Sequence, residues 1–471
     1  MKIRNILLLL TLSSALFLQS QIKIASILGD NMVLQRNSEV KLWGNSKPND
    51  QLTIKVGWDK STIKTVSDEN GHWLVKLKTT EAGGPYLIKI TSGRDKLTLN
   101  NILLGEVWLC SGQSNMEMPI LGFNDQPVMG MNDALVEAEN DNIRLFTVKK
   151  SALDSPQDTC TGKWDIANAM TVGKFSAVGY FYARELQQKL NVPIGIICSS
   201  WGGTRIESWM SSETISNFTT SKAKTPVKKV GDPSQSSRLF NGMIHPILNY
   251  TIKGAIWYQG ETNRFNASKY ADLMPAMVTN WRADFGLGPF PFYFVQIAPY
   301  NYGDNKGLIS AYLREAQQKA SLKIPNSGMV STVDIGEEKC IHPSEKLTVA
   351  KRLAYWALSD TYNKKGIAIQ NPLFKLAIAQ DSMMVISFDN TENGLTSFGK
   401  ELNNFEIAGD NKVFYPAKAS IVKKQIQVTC PEVKKPIAVR YCFCNYPQGK
   451  GFLYNTAGIP VPPFRSDDWK E

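Results

Sequence analysis

Three apolar runs in this 471-residue chain each end in a short, glycine-bearing polar turn, and this repeated pattern constrains the fold more than any other feature. Ile102–Cys110, interrupted only at Gly105-Glu106, empties into Ser111-Gly112-Gln113-Ser114-Asn115-Met116. Ile194–Cys198 empties into Ser199-Ser200-Trp201-Gly202-Gly203-Thr204, and Gly254–Tyr258 into Gln259-Gly260-Glu261-Thr262-Asn263. Short apolar runs bounded by turn residues read as buried strands. Amphipathic helical patterns lie between them, at Ser176–Leu190 and from about Ala267 to Asp284, and further strands follow at Phe292–Ile297 and Gly328–Val333. Strand–helix alternation implies parallel pairing with right-handed crossovers, and an open parallel sheet keeps its reactive groups at the carboxyl ends of its strands.

This α/β unit spans residues 102–360, with a polar, Lys-rich surface insertion around 213–237 that contains Pro226 and Pro233. Residues 21–101 differ. There, short alternating runs such as Val40–Trp43, Leu52–Val56, Trp73–Leu77 and Tyr86–Ile90, separated by Gly, Pro, Asn and Asp, predict a small antiparallel sandwich. Alternating strands return over 361–471, as at Met383–Phe388 and Ile426–Val428, and predict a β-rich carboxyl-terminal domain. Residues 1–20 pair a positive start, Lys2 and Arg4, with an apolar stretch too short to span a bilayer, which is the pattern of a cleavable export signal. An exported, periplasmic or secreted protein without a membrane span is therefore expected.

Removing residues 1–20, which carry Lys2 and Arg4 and no acidic residue, lowers the formal charge from +11 to +9. That surplus is scattered in pairs such as Lys149-Lys150 rather than gathered into the basic stripe a nucleic-acid surface needs. The chain has seven cysteines, so at least one thiol stays unpaired, and Cys110 and Cys198 read as inert core thiols. With three histidines and no Cys-x-x-Cys, neither a metal site nor a cofactor is expected.

Small residues and side-chain amides at strand ends are what an oxyanion site requires, because the backbone must approach a reacting carbonyl closely. Ser114 is the candidate nucleophile, and a serine nucleophile needs a base. His72 falls in a turn before the α/β unit, and His245 in an apolar context. His342 follows the strand that ends at Val333 and is the best-placed base.

Gly112-Gln113-Ser114-Asn115-Met116, Trp201-Gly202-Gly203-Thr204, Trp257-Tyr258-Gln259-Gly260-Glu261 and Ile341-His342-Pro343, taken in this order, resemble the SGNH-hydrolase superfamily, and within it the sialate O-acetylesterase family. Phe405–Asp410, Ala438–Tyr441 and Pro463–Asp467 extend the likeness almost to the end of the chain. The resemblance implies a flavodoxin-like three-layer α/β/α catalytic domain flanked by β-sandwich-like segments. It also implies Ser114 as nucleophile, His342 as base, and oxyanion donors from the Ser114 amide, the Gly203 (or Gly202) amide and the Gln259 side chain. The implied substrate is an O-acetylated sugar, with 9-O-acetylated sialic acids nominated and acetylated plant polysaccharide the alternative. A non-catalytic glycan-binding role is the rival from another class.

One position departs from that pattern. Related hydrolases carry the acid that orients the histidine two or three residues before it, where this chain has Cys340 and Lys339. Asp334 or Glu338 is then the expected acid, with a serine–histidine dyad as the remaining option. Arg205 is a candidate for pairing with a substrate carboxylate, and Glu261 for lining the pocket. An imidazole of ordinary pKa acting as base predicts that activity falls below about pH 6.

Overall fold

The computed structural model describes residues 22–218 and 231–469. The expected export signal at 1–20 and the middle of the insertion lie outside these residues. The protein is a mixed α/β structure organised around one strand, Asp95–Gly112, 18 residues long. Its first half pairs antiparallel with Gly83–Ser92, and its second half pairs parallel with Ile194–Ser200 on one side and Gly254–Tyr258 on the other. Beyond these, the sheet continues through Asn140–Thr147 to an antiparallel edge at Trp164–Ala167, and in the other direction through Phe292–Val295 to Ser327–Val330. The parallel pairing read from strand–helix alternation is thus present. The boundary drawn between 101 and 102 falls inside a continuous strand.

Alternate residues of the central strands enter two separate cores. Val107, Leu109, Trp257 and Phe294 join the helices Ala267–Phe285 and Ile309–Ser321 through Met277, Trp281 and Leu313. Trp108, Cys110, Ile256 and Tyr293 join Ala177–Leu190 and Lys346–Trp356 through Phe181, Leu186, Val349 and Leu353. Side chains alternate across a strand, so a run that is apolar throughout must be covered on both faces. The amino-terminal strands divide between two sheets. Glu39–Asn45 and His72–Lys78 form a three-stranded sheet with Lys23–Ile24, whereas Gln51–Val56 and Gly83–Ser92 extend the central sheet. The carboxyl-terminal strands form a seven-stranded antiparallel sheet with its own core around Ile386, Phe405, Ile407 and Val428. All seven cysteines are free.

The Gly105-Glu106 interruption has a packing cause. A Cβ on Gly105 would lie 2.1 Å from the Pro193 carbonyl oxygen. The buried Glu106 carboxylate accepts from Gln35 Nε2 (2.9 Å), Arg36 Nε (2.7 Å) and the Tyr362 hydroxyl (3.1 Å), joining three distant stretches of chain. Its replacement strands a largely buried guanidinium, the buried Gln35 amide and the half-buried Tyr362 hydroxyl, and breaking one side of such a pair costs about 3–5 kcal/mol. Glu106→Ala is therefore expected to lower the thermal midpoint sharply, whereas Glu81→Ala, at the exposed second partner of Arg36, is expected to change it little.

Candidate active site

In-register pairing sets Gly112 beside Ser200 and Tyr258, so the three glycine-bearing turns open at the same edge of the sheet. Gly112 turns the chain there with φ +139°, and a Cβ on it would lie 2.1 Å from the Tyr258 carbonyl oxygen, so only glycine fits. Gln113 donates its amide to that same carbonyl (3.0 Å), and Ser114 opens the short helix Ser114–Glu117. As the first helical residue, Ser114 has an amide with no intrahelical acceptor.

His342 arrives from the loop after Ser327–Val330. Its Nε2 lies 2.7 Å from Ser114 Oγ, and its Nδ1 lies 2.6 Å from Gln126 Oε1. The Phe123 ring meets the imidazole edge-on at 5.2 Å. Of the other histidines, His72 is exposed beside Asp68, and His245 Nδ1 bonds the Gln157 carbonyl at 2.8 Å. Burial, and after it the Lys346 charge, push the His342 imidazole down to about 4, against an upward pull from Glu117.

Neither expected acid reaches the ring. Asp334 is held by Arg352 in a two-point ion pair (2.8 and 2.7 Å), with the same guanidinium donating to the Ser331 carbonyl. Glu338 contributes its backbone carbonyl to the Asn301 amide and makes no hydrogen bond to His342. A neutral amide, Gln126, occupies the place where a carboxylate was expected. It was missed because it lies 216 residues away in sequence, in a loop with no catalytic motif. The helix after His342 begins at Lys346, after Glu337 has accepted from the Ser344 amide and hydroxyl.

The oxyanion candidates separate in the same way. Gly202 packs against Ser114, but its amide donates to Glu117 Oε2 (2.6 Å). Gly203, with φ +74° and open space around it, keeps its amide free of any protein acceptor among the described residues. Gln259 is a correction. Its Nε2 spends both hydrogens on the Thr204 carbonyl (3.0 Å) and Asn263 Oδ1 (2.7 Å), and it is fully buried. Asn263 Nδ2, by contrast, donates to Glu207 Oε2 (2.9 Å) and keeps a second hydrogen.

Glu261 is 2% exposed and lies beneath the site rather than open to it. It accepts from Asn115 Nδ2 (2.6 Å), which also donates to the Ile341 carbonyl (3.1 Å), while Asn115 Oδ1 accepts from Lys346 Nζ (2.5 Å). Arg205 is exposed, and its guanidinium meets no partner among the described residues. At the rim, Lys150 pairs with Glu117 (2.5 Å) and lies over the Trp201 ring at 5.4 Å. Among the described residues, no group of three His, Cys, Asp or Glu is placed to hold a metal ion, and no helix is long and apolar enough to cross a membrane.

The Asp334 ion pair yields a test that separates structure from catalysis. Asp334→Asn is expected to destabilise the fold by about 3 kcal/mol, as for other broken buried pairs. The acid side of the pH–rate profile should stay where it is in the parent protein, whereas an acid acting on His342 would move it.

Residues 104–358 match the family model described as carbohydrate esterase, sialic acid-specific acetylesterase. Sialate O-acetylesterases of Pongo abelii and Homo sapiens are each 29% identical over 94% of this chain and 92% of theirs. The crystal structure of a carbohydrate acetylesterase from Xanthomonas citri is 35% identical and covers 95% of this chain and 100% of its own, with a TM-score of 0.85. A family match over more than half of the chain, joined to a shared fold along its whole length, shows that the protein belongs to the sialic acid-specific acetylesterase family of carbohydrate esterases.

Proposed function

We propose that the protein is a sialate O-acetylesterase that removes O-acetyl groups from sialic acids through an acetyl-serine intermediate. The observation that carries this reading is the 2.7 Å contact between Ser114 Oγ and His342 Nε2 at converging strand ends. Ser114 attacks the acetyl carbonyl carbon while His342 Nε2 takes the hydroxyl proton. The tetrahedral intermediate collapses, the imidazolium returns that proton to the departing sugar oxygen, and an acetyl group stays on Ser114. Water, deprotonated by His342, then releases acetate.

The Ser114 and Gly203 amides, with the spare Asn263 hydrogen in the role expected of Gln259, supply the oxyanion donors, each worth about 3 kcal/mol. Gln126 accepts from Nδ1–H and leaves the Nε2 lone pair facing the nucleophile. The exposed Arg205, without a partner among the described residues, suits the carboxylate that distinguishes a sialic acid from a neutral sugar. The parallel sheet with separate cores on its two faces supports the finer assignment to the flavodoxin-like three-layer SGNH arrangement, with the β-rich segments as flanking sandwiches. The charged, then apolar, start at 1–20 supports export to the periplasm or exterior.

Purified protein should hydrolyse O-acetylated sialic acid in preference to acetylated xylan, and a clear preference for xylan would overturn the sialate assignment. Ser114→Ala should reduce turnover of both, and of an aryl acetate, by at least about 10³-fold.

The base must be neutral to act, so an imidazole at about 4 keeps the enzyme active well below the pH 6 expected of an ordinary histidine. The acid limb should fall near pH 4. Gln126→Glu places a negative charge against Nδ1–H, which favours the imidazolium. It should move the acid limb upward, and an unmoved limb would argue against His342 as the base.

A further inference from the structure

Behind the nucleophile lies a row of buried polar groups that the acyl-transfer steps do not use. Lys346, Asn115 and Glu261 are 0%, 0% and 2% exposed. Lys346 donates to Asn115 Oδ1, and Asn115 Nδ2 donates to Glu261 Oε1 and to the carbonyl of Ile341. Asn115 follows the nucleophile and Ile341 precedes the base. One amide side chain thus ties the two reacting residues together from behind, clamped between an ammonium and a carboxylate. Burying a lysine with one side-chain acceptor is costly, and such a group is retained where its charge or geometry is used.

We propose that Lys346, acting through Asn115 and balanced by Glu261, is a positioning residue of this esterase: it fixes the nucleophile turn against the base-bearing loop and sets the charge that His342 faces. This rests on the reading of Ser114 and His342 as nucleophile and base. The groups bearing on the imidazole are Lys346 from the helix side and Glu117 from the nucleophile helix, the latter already paired with Lys150. Glu261, Cys340 and Glu337 bear on the ammonium. Burial lowers Lys346 to about 7, despite the opposing pull of those three groups, and raises Glu261. Between about pH 4 and about pH 7 the ammonium is charged while the imidazole is neutral, which is the combination a base working in mild acid needs.

The test uses the full-length protein labelled at histidine and follows the His342 imidazole by NMR titration. In Lys346→Met, the His342 midpoint should rise from near 4 toward the ordinary value of about 6.5, recovering the charge contribution but not that of burial. Turnover of an aryl acetate should fall at least about tenfold in kcat with KM within twofold, as misplacement of reacting groups predicts. An unmoved His342 midpoint in the folded variant, or a loss confined to KM, would overturn the proposal. Should Lys346→Met fail to fold by circular dichroism, Lys346→Gln keeps a donor for Asn115 Oδ1 while removing the charge. The His342 midpoint should then rise, and an unmoved or lowered midpoint overturns the proposal. Loss of wild-type aryl-acetate turnover in Ser114→Ala tests the esterase reading separately, since the NMR titrations need no turnover.

Discussion

The structure depends on a single strand being shared. Asp95–Gly112 begins as an antiparallel partner in the amino-terminal β region and ends as the middle of a parallel sheet, without a break. The change of partners is managed at Gly105 and Glu106, where the Pro193 carbonyl closes in and the carboxylate gathers Gln35, Arg36 and Tyr362. A buried carboxylate is tolerable only with such partners, and here they come from the chain's first and last thirds. The strand's far end is thereby anchored from both directions, and the turn carrying Ser114 starts from a fixed point.

Rigidity at that point matters because the chemistry at its tip is arranged with few charges. The base bonds a neutral amide, the negative charge felt by its ring comes from Glu117, and Lys346 opposes it from behind. Glu117 also occupies the Gly202 amide, which leaves the Gly203 amide as the open donor of that turn. Each of these groups has two jobs, one geometric and one electrostatic. That is economical in a site where an unpaired charge would be expensive.

What could be read from sequence follows the range over which each signal acts. Buried strands announce themselves by continuous apolar residues, so Ile194–Ser200 and Gly254–Tyr258 were legible, as was the helix capped by Ser176. Ser114 was legible from its turn, and His342 from the scarcity of histidine. Gln126 was not, because a loop glutamine carries no local mark of a partner 216 positions away. Asp334 misled for the converse reason: its place at a strand end is real, but Arg352, on the following helix, claims both oxygens. Gln259 misled because its hydrogens are taken by Thr204 and Asn263, which only the folded turn reveals. Glu261, a candidate for lining the pocket, is instead buried beneath the site beside Lys346, which carries no local motif.

The glutamine beside His342 has one more consequence. A carboxylate can only accept, so it permits a single arrangement of the neutral imidazole, the one with hydrogen on Nδ1. A carboxamide carries an acceptor and a donor on the same rotatable end. Turned by half a revolution, Gln126 would offer hydrogen to a bare Nδ1 and support the opposite tautomer, in which Nε2 points its own hydrogen at Ser114 and cannot receive one. A pivot of one uncharged side chain thus separates a competent site from an idle one, with no change in net charge.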